Sequence, residues 1–173
     1  MSGSFSLSFE YAVGGLLHSA SLLLEHTLQH PLGLFHLVIA VLAIGLGGAV
    51  VVMRKGTPRH RWLGRAYLVG MLLLNVSALM IYELFGGFGM FHWAALASLA
   101  TVLAGYLEAR RRKPGWKVRH AFYMSGSYVG LIAALAAEIL TRTPLLPFFG
   151  SVAVASFSVI AVGLWLMFRY IPR

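Results

Sequence analysis

Leu34-Phe-His-Leu-Val-Ile-Ala-Val-Leu-Ala-Ile-Gly-Leu-Gly-Gly-Ala-Val-Val-Val-Met53 is a run of twenty residues without one charge. A hydrocarbon layer of about 30 Å is crossed by roughly 20 apolar residues in helix, so this run reads as a membrane span. The basic stretch from Arg54 to Arg61 stops it. The same logic, applied outward, gives four more spans: about Leu63 to Phe85, about Met90 to Ala109, Ala121 to Leu140, and Pro147 to Phe168. Arg65 lies near the start of the second and reaches the interface by snorkelling. The expected fold is therefore an all-α polytopic membrane bundle of about five transmembrane helices.

Composition agrees. Of 173 residues, 59% are hydrophobic and only 11% charged, about half the charge of a soluble domain. Cysteine is absent, which excludes disulfides and thiolate ligands, and the only acids are Glu10, Glu25, Glu83, Glu108 and Glu138. The net charge of +9 does not point to nucleic acid. The basic residues sit in the turns between apolar spans, thirteen of the fourteen Lys and Arg falling on one side and Arg142 alone on the other. By the positive-inside rule that side is cytoplasmic, so the protein is expected to be multi-pass with its C-terminus inside. No signal peptide is evident, because no basic flank precedes an apolar run at the N-terminus.

Residues 1–33 read differently. From Tyr11 to Gln29, Glu10, His18, Glu25 and Gln29 fall near one helical face and Leu17, Leu24 and Leu28 on the other, the pattern of an amphipathic helix on the outer surface. A sixth span with its polar face inward is the alternative. Pro31 and Gly33 separate this segment from the bundle of residues 34–173.

The bundle carries signs of an internal repeat. Arg59-His60 precedes the second span and Arg119-His120 the fourth, and Ala66/Gly70 and Gly126/Gly130 follow at the same offset of 60. His36 opens the first span and His92 the third, and Glu83 and Glu138 close the two units, residues 34–85 and 90–140, before the final span 147–168. Small residues four apart let membrane helices approach closely, within one chain or across a homodimer.

His60-Arg-Trp-Leu-Gly-Arg-Ala-Tyr67, together with Arg119-His120-Ala-Phe-Tyr-Met124, resembles a family of bacterial predicted membrane proteins of unknown function. The similarity covers roughly residues 34–140. It implies the fold and directs attention to His36, His60 and His120, but it names no activity.

Ionisable groups at membrane depth are expensive and each needs an account. Two levels of histidine are expected, His36 and His92 near the outer face and His60 and His120 near the inner one, about 30 Å apart. One histidine on each of four successive helices is the arrangement of membrane cytochromes that hold two haems; the likeness to cytochrome b561-type architecture is one of pattern. In this reading His36 and His92 hold an outer haem b and His60 and His120 an inner one. Arg59, Arg61, Arg65 and Arg119 pair with propionates, and the protein is an oxidoreductase passing electrons to or from quinone. Against it, His60 and His120 stand at the very edge of their expected helices. The runner-up is a non-haem zinc or iron site at the outer face, from His36, Glu83, His92 and Glu138. A third reading, from another class, is a small transporter or an accessory membrane subunit. The bland alternative for every one of these groups is an interfacial residue bonded to a loop carbonyl or a lipid phosphate.

Overall fold

A computed structural model describes residues 30–82, 86–143 and 145–171. Five helices appear in it, each long and apolar enough to cross a membrane: α1 (Pro31–Val52), α2 (Pro58–Met80), α3 (Met90–Arg111), α4 (Trp116–Leu140) and α5 (Phe148–Tyr170). Among the described residues there is no strand. Hydrocarbon offers no partner for a free backbone N–H or C=O, so the apolar runs satisfy their own peptide groups as helices. The N-terminal amphipathic helix lies outside the described residues.

The helix starts differ from the expected ones. α2 begins at Pro58, five residues before Leu63, and α4 at Trp116, five before Ala121. At α2 the start is set by Thr57, whose Oγ1 accepts the His60 backbone N–H at 3.1 Å, and by Pro58 at the first helical position, where a missing N–H costs nothing. At α4 it is set by Gly115, which holds φ +78, a conformation open to glycine at no steric cost. The charged residues expected in loops thus ride on the first turns of helices, and His60 and His120 are inside them. The end of α2 moves the other way. It stops at Met80, so the second span does not run to Phe85, and Glu83 lies outside the described residues.

Helices α1 to α4 form a ring in which each packs on the next and α4 closes against α1; α5 packs on the outside of α4. The ring's core takes one or more residues from each helix: Ala43, Tyr67, Met71, Leu74, Val102 and Leu131. Glycines set the close approaches. A Cβ on Gly47 would stand 2.4 Å from Tyr128 Cδ2, and one on Gly163 would stand 2.4 Å from Val129 Cγ1. The small residues expected to offer a dimer face are partly used inside the chain, since Gly70 faces Ala43, and Gly126 faces Thr101 and Met167. The outer surface is apolar, with Val52, Phe157, Trp165 and many other large side chains exposed, as lipid contact requires.

Candidate functional site

At the basic end of the ring, His60 on α2 and His120 on α4 lie close enough for their charges to act on each other. These helices make no direct backbone contact with each other and stand on opposite sides of the ring. His120 Nδ1 lies 2.8 Å from the Gly105 carbonyl oxygen on α3. A carbonyl only accepts, so His120 carries its proton on Nδ1 and keeps a lone pair on Nε2. A carbonyl-oriented imidazole of this tautomer is the usual form of a metal-ligating histidine. His60 Nδ1 is buried and has no hydrogen-bond partner among the described residues. The Trp116 ring lies 6.2 Å from that of His120. About two turns deeper, Tyr67 donates to Ser127 Oγ at 3.0 Å, and Ser127 in turn donates to the Met124 carbonyl. Both residues are buried. Below them Met71, Leu74, Val102 and Leu131 fill the ring. Packed apolar side chains therefore lie between the two ends, with Asn75 buried among them and bonded to the Met71 carbonyl.

Of the arginines expected at this end, Arg59, Arg61 and Arg65 are exposed. Arg119 is committed elsewhere. Its guanidinium pairs with Glu108 at 2.8 Å and donates to the Pro114 carbonyl at 2.9 Å, so it is not a free propionate partner. Glu108 was not legible as its partner, because the pair closes across the α3–α4 turn at no helical spacing. Lys55 is also occupied, with Nζ on the last α1 carbonyls, Val50 and Val51; burial there holds its ammonium below the usual lysine range.

At the far end His36, His92 and Glu138 of the expected four-residue cluster are described, and Glu83 lies outside the described residues. Among the described residues, no three histidine or carboxylate groups come within reach of one metal ion. His36 Nδ1 lies 2.8 Å from Ser77 Oγ, and the Ser77 proton goes to the Leu74 carbonyl. His36 therefore donates from Nδ1 and keeps its Nε2 lone pair. Glu138 is near enough for its charge to act on this ring, but it is exposed and paired with Arg142. His92 has the opposite polarity. Its Nδ1 accepts the Gly89 backbone N–H at 3.0 Å, so a neutral ring bears its proton on Nε2, and that buried atom has no partner among the described residues. Tyr82 and Phe88 flank the ring, each with centroid 4.7 Å away. This His92 caps a helix and fills an aromatic sandwich. With its lone pair spent on the backbone, it does not present a ligand nitrogen.

Ser77, Ser127 and Tyr67 were missed as partners of the site histidines and of each other. Tyr67 lies within the quoted motif, and the Tyr67–Ser127 separation of 60 equals the offset between His60 and His120, a signal that was present without a contact to attach it to.

No curated protein matches this chain, and no solved structure does. The family described as "Predicted membrane protein (DUF2306)" matches residues 33–173, so the similarity expected to end near residue 140 continues through α5. From the first residue of the bundle to the last, this chain belongs to that family of predicted membrane proteins.

Proposed function

We propose that the protein is a membrane redox carrier, an oxidoreductase component that holds a single haem b at its basic end between His60 and His120. The observation that carries the reading is the Nδ1–H bond from His120 to Gly105, which leaves Nε2 free on a ring facing the neighbourhood of a second, unsatisfied histidine. His60 and His120, from two helices on opposite sides of the ring, would hold the iron. Arg61 and Arg65, one turn apart on α2 and exposed, are the propionate partners; Arg119 is not. When bound, the haem would supply one-electron chemistry, its potential tuned by the histidines that hold it and by their burial. The chain's own part is to orient His120, to compensate carboxylates with arginine, and to seal the site from the far end with the Tyr67–Ser127 layer. A quinone in the bilayer is the natural electron partner. The outer haem does not fit, because His92 spends its lone pair on Gly89 and the space between the levels is filled.

A visible spectrum of protein expressed with ample haem and purified in mild detergent tests this. A sharp Soret band with α and β bands on dithionite reduction is expected, lost in His60→Ala and in His120→Ala and retained in His92→Ala. Colourless protein sinks the reading, and elemental analysis for zinc or iron then decides whether His36 and Glu138 take part in a metal site instead.

The charge asymmetry assigns the basic end to the cytoplasm, and the resemblance to bacterial membrane proteins assigns the bundle to a bacterial inner membrane. The chain has no Cys, so single cysteines report directly. A membrane-impermeant maleimide is expected to label Leu145→Cys on intact cells and Lys113→Cys only after permeabilisation. The reverse pattern inverts the topology.

A further inference from the structure

The two turns at the basic end occupy corresponding places, yet their arginines are treated differently. In the α3–α4 turn the charges are answered from within. Arg119 pairs with Glu108 and with Pro114, and Arg112 stands over the Trp116 ring at 5.9 Å. Arg59 corresponds to Arg119 at the offset of 60, but the helix that precedes it, α1, contains no acidic residue at all. Arg59 and Arg54 are both exposed, and neither has a carboxylate partner among the described residues. They line a hollow at the end of α1 and the start of α2, whose other walls are Met53, Thr57 and Pro58.

The chemistry of this hollow is one-sided. Lys55 is turned away from it onto the α1 carbonyls, where it offsets the negative end of that helix. Thr57 spends its hydroxyl proton on the Arg54 carbonyl and its lone pair on the His60 N–H. What remains is two guanidiniums beside the positive end of α2, each able to give parallel hydrogen bonds to an oxyanion. The rim decides where that anion comes from. Met53 belongs to the hollow, and Val52 and Trp62 beside it are 84% and 68% exposed. An apolar residue and a tryptophan at a helix end are an interfacial pair, so the hollow opens at headgroup level beside the acyl chains.

We propose that this hollow binds the phosphate of an anionic phospholipid through Arg54 and Arg59, the lipid standing where Glu108 stands in the other half of the chain. The site is independent of the haem reading. At 3.6 residues per turn Arg59 and Arg61 lie on opposite flanks of His60, so the residues that would hold propionates are not those that hold the lipid.

The test uses the full chain, purified in mild detergent and freed of lipid. Equal amounts of phosphatidylglycerol and phosphatidylcholine are added and their retention is measured by native mass spectrometry, with inorganic phosphate in a separate arm. The native protein is expected to retain phosphatidylglycerol over phosphatidylcholine. The doubly substituted Arg54→Gln, Arg59→Gln protein is expected to bind it about thirtyfold more weakly, from about fivefold per basic residue at the surface. Arg110→Gln with Lys117→Gln removes the same charge from the same end, at two exposed residues, and is expected to change binding by no more than about twofold. Equal losses in the two double variants, or equal retention of the two lipids, would falsify the site by reducing it to general attraction. Phosphate that binds as tightly as the lipid overturns the lipid assignment in favour of a free anion. All four residues are exposed, and the melting temperature of each variant confirms that it folds.

Discussion

Gly47→Val is expected to destabilise the bundle by roughly 3 kcal/mol, at the upper end of what overpacking a core costs. A Cβ at this position meets Tyr128 Cδ2 at 2.4 Å, Tyr128 Cε2 at 2.7 Å and Tyr67 Cε2 at 2.9 Å. The Tyr67 ring has little room to yield, and the half-buried Tyr128 ring moves only by leaving its place against it. Tyr67 is buried and hydrogen-bonded to Ser127, and the two rings meet edge to face at 6.5 Å. Valine adds a stiff branched side chain with few rotamers to escape into. In a bilayer the loss is felt as lost packing, since helices there associate through close contact of small residues. Thermal unfolding in detergent measures it, with two comparisons built in. Gly45→Val, on the same helix with nothing within 4 Å of the added Cβ, should stay within about 0.5 kcal/mol of the native protein. Tyr128→Ala should relieve the clash, so the double variant loses less than the two single losses added together. A Gly47→Val protein as stable as Gly45→Val would show that α1 does not approach α4 at this point.

Tyr67→Ala is expected to cost about 3–5 kcal/mol, the range for emptying a buried aromatic site. The side chain is 2% exposed and contacts core residues drawn from several helices of the ring, so no single neighbour can collapse into the void. Tyr67→Phe separates packing from hydrogen bonding. It removes only the hydroxyl, and the Ser127 proton remains on the Met124 carbonyl. The expected loss is about 1 kcal/mol, that of one hydrogen bond. The same denaturation series reads both. If Phe cost as much as Ala, the Tyr67–Ser127 bond and not the packing would be what holds α2 against α4. On the haem reading, Tyr67→Phe should leave the reduced spectrum in place, because the hydroxyl layer seals the site and does not ligate.

The histidines show where reading residues in order succeeds and where it stops. His60 and His120 stood out because each follows an arginine at a constant offset, and the structure brings them close enough for their charges to interact. Their depth was misjudged because a run of Arg and Lys resembles a loop, whereas long basic side chains can leave from the first turn of a helix and still reach water. His36 and His92 looked equivalent, one opening each unit. They differ because Ser77, forty-one residues away, accepts from His36, while the backbone of Gly89, three residues away, donates to His92. Glu83, paired with Glu138 by position, lies outside the described residues. Arg119 was offered to a cofactor, and Glu108 had already claimed it.

The order of residues was enough to give the bundle after residue 33 as five membrane-crossing helices with its charge gathered at one end. That much needs only the length and polarity of each segment, since hydrocarbon tolerates no unsatisfied backbone and an apolar run of about 20 residues has the helix as its way to cross. Which faces of those helices meet was decided by the tertiary structure alone. Lipid is as apolar as a core, so α1 carries the same kinds of side chain toward the bilayer as toward its neighbours, and hydrophobic periodicity hardly separates the two. The choice falls instead to shape, a glycine under a tyrosine ring, and to single hydrogen bonds from distant helices. The Gly105 carbonyl, fifteen residues from His120, determines which nitrogen of that ring is free, and that nitrogen is what the proposed chemistry depends on.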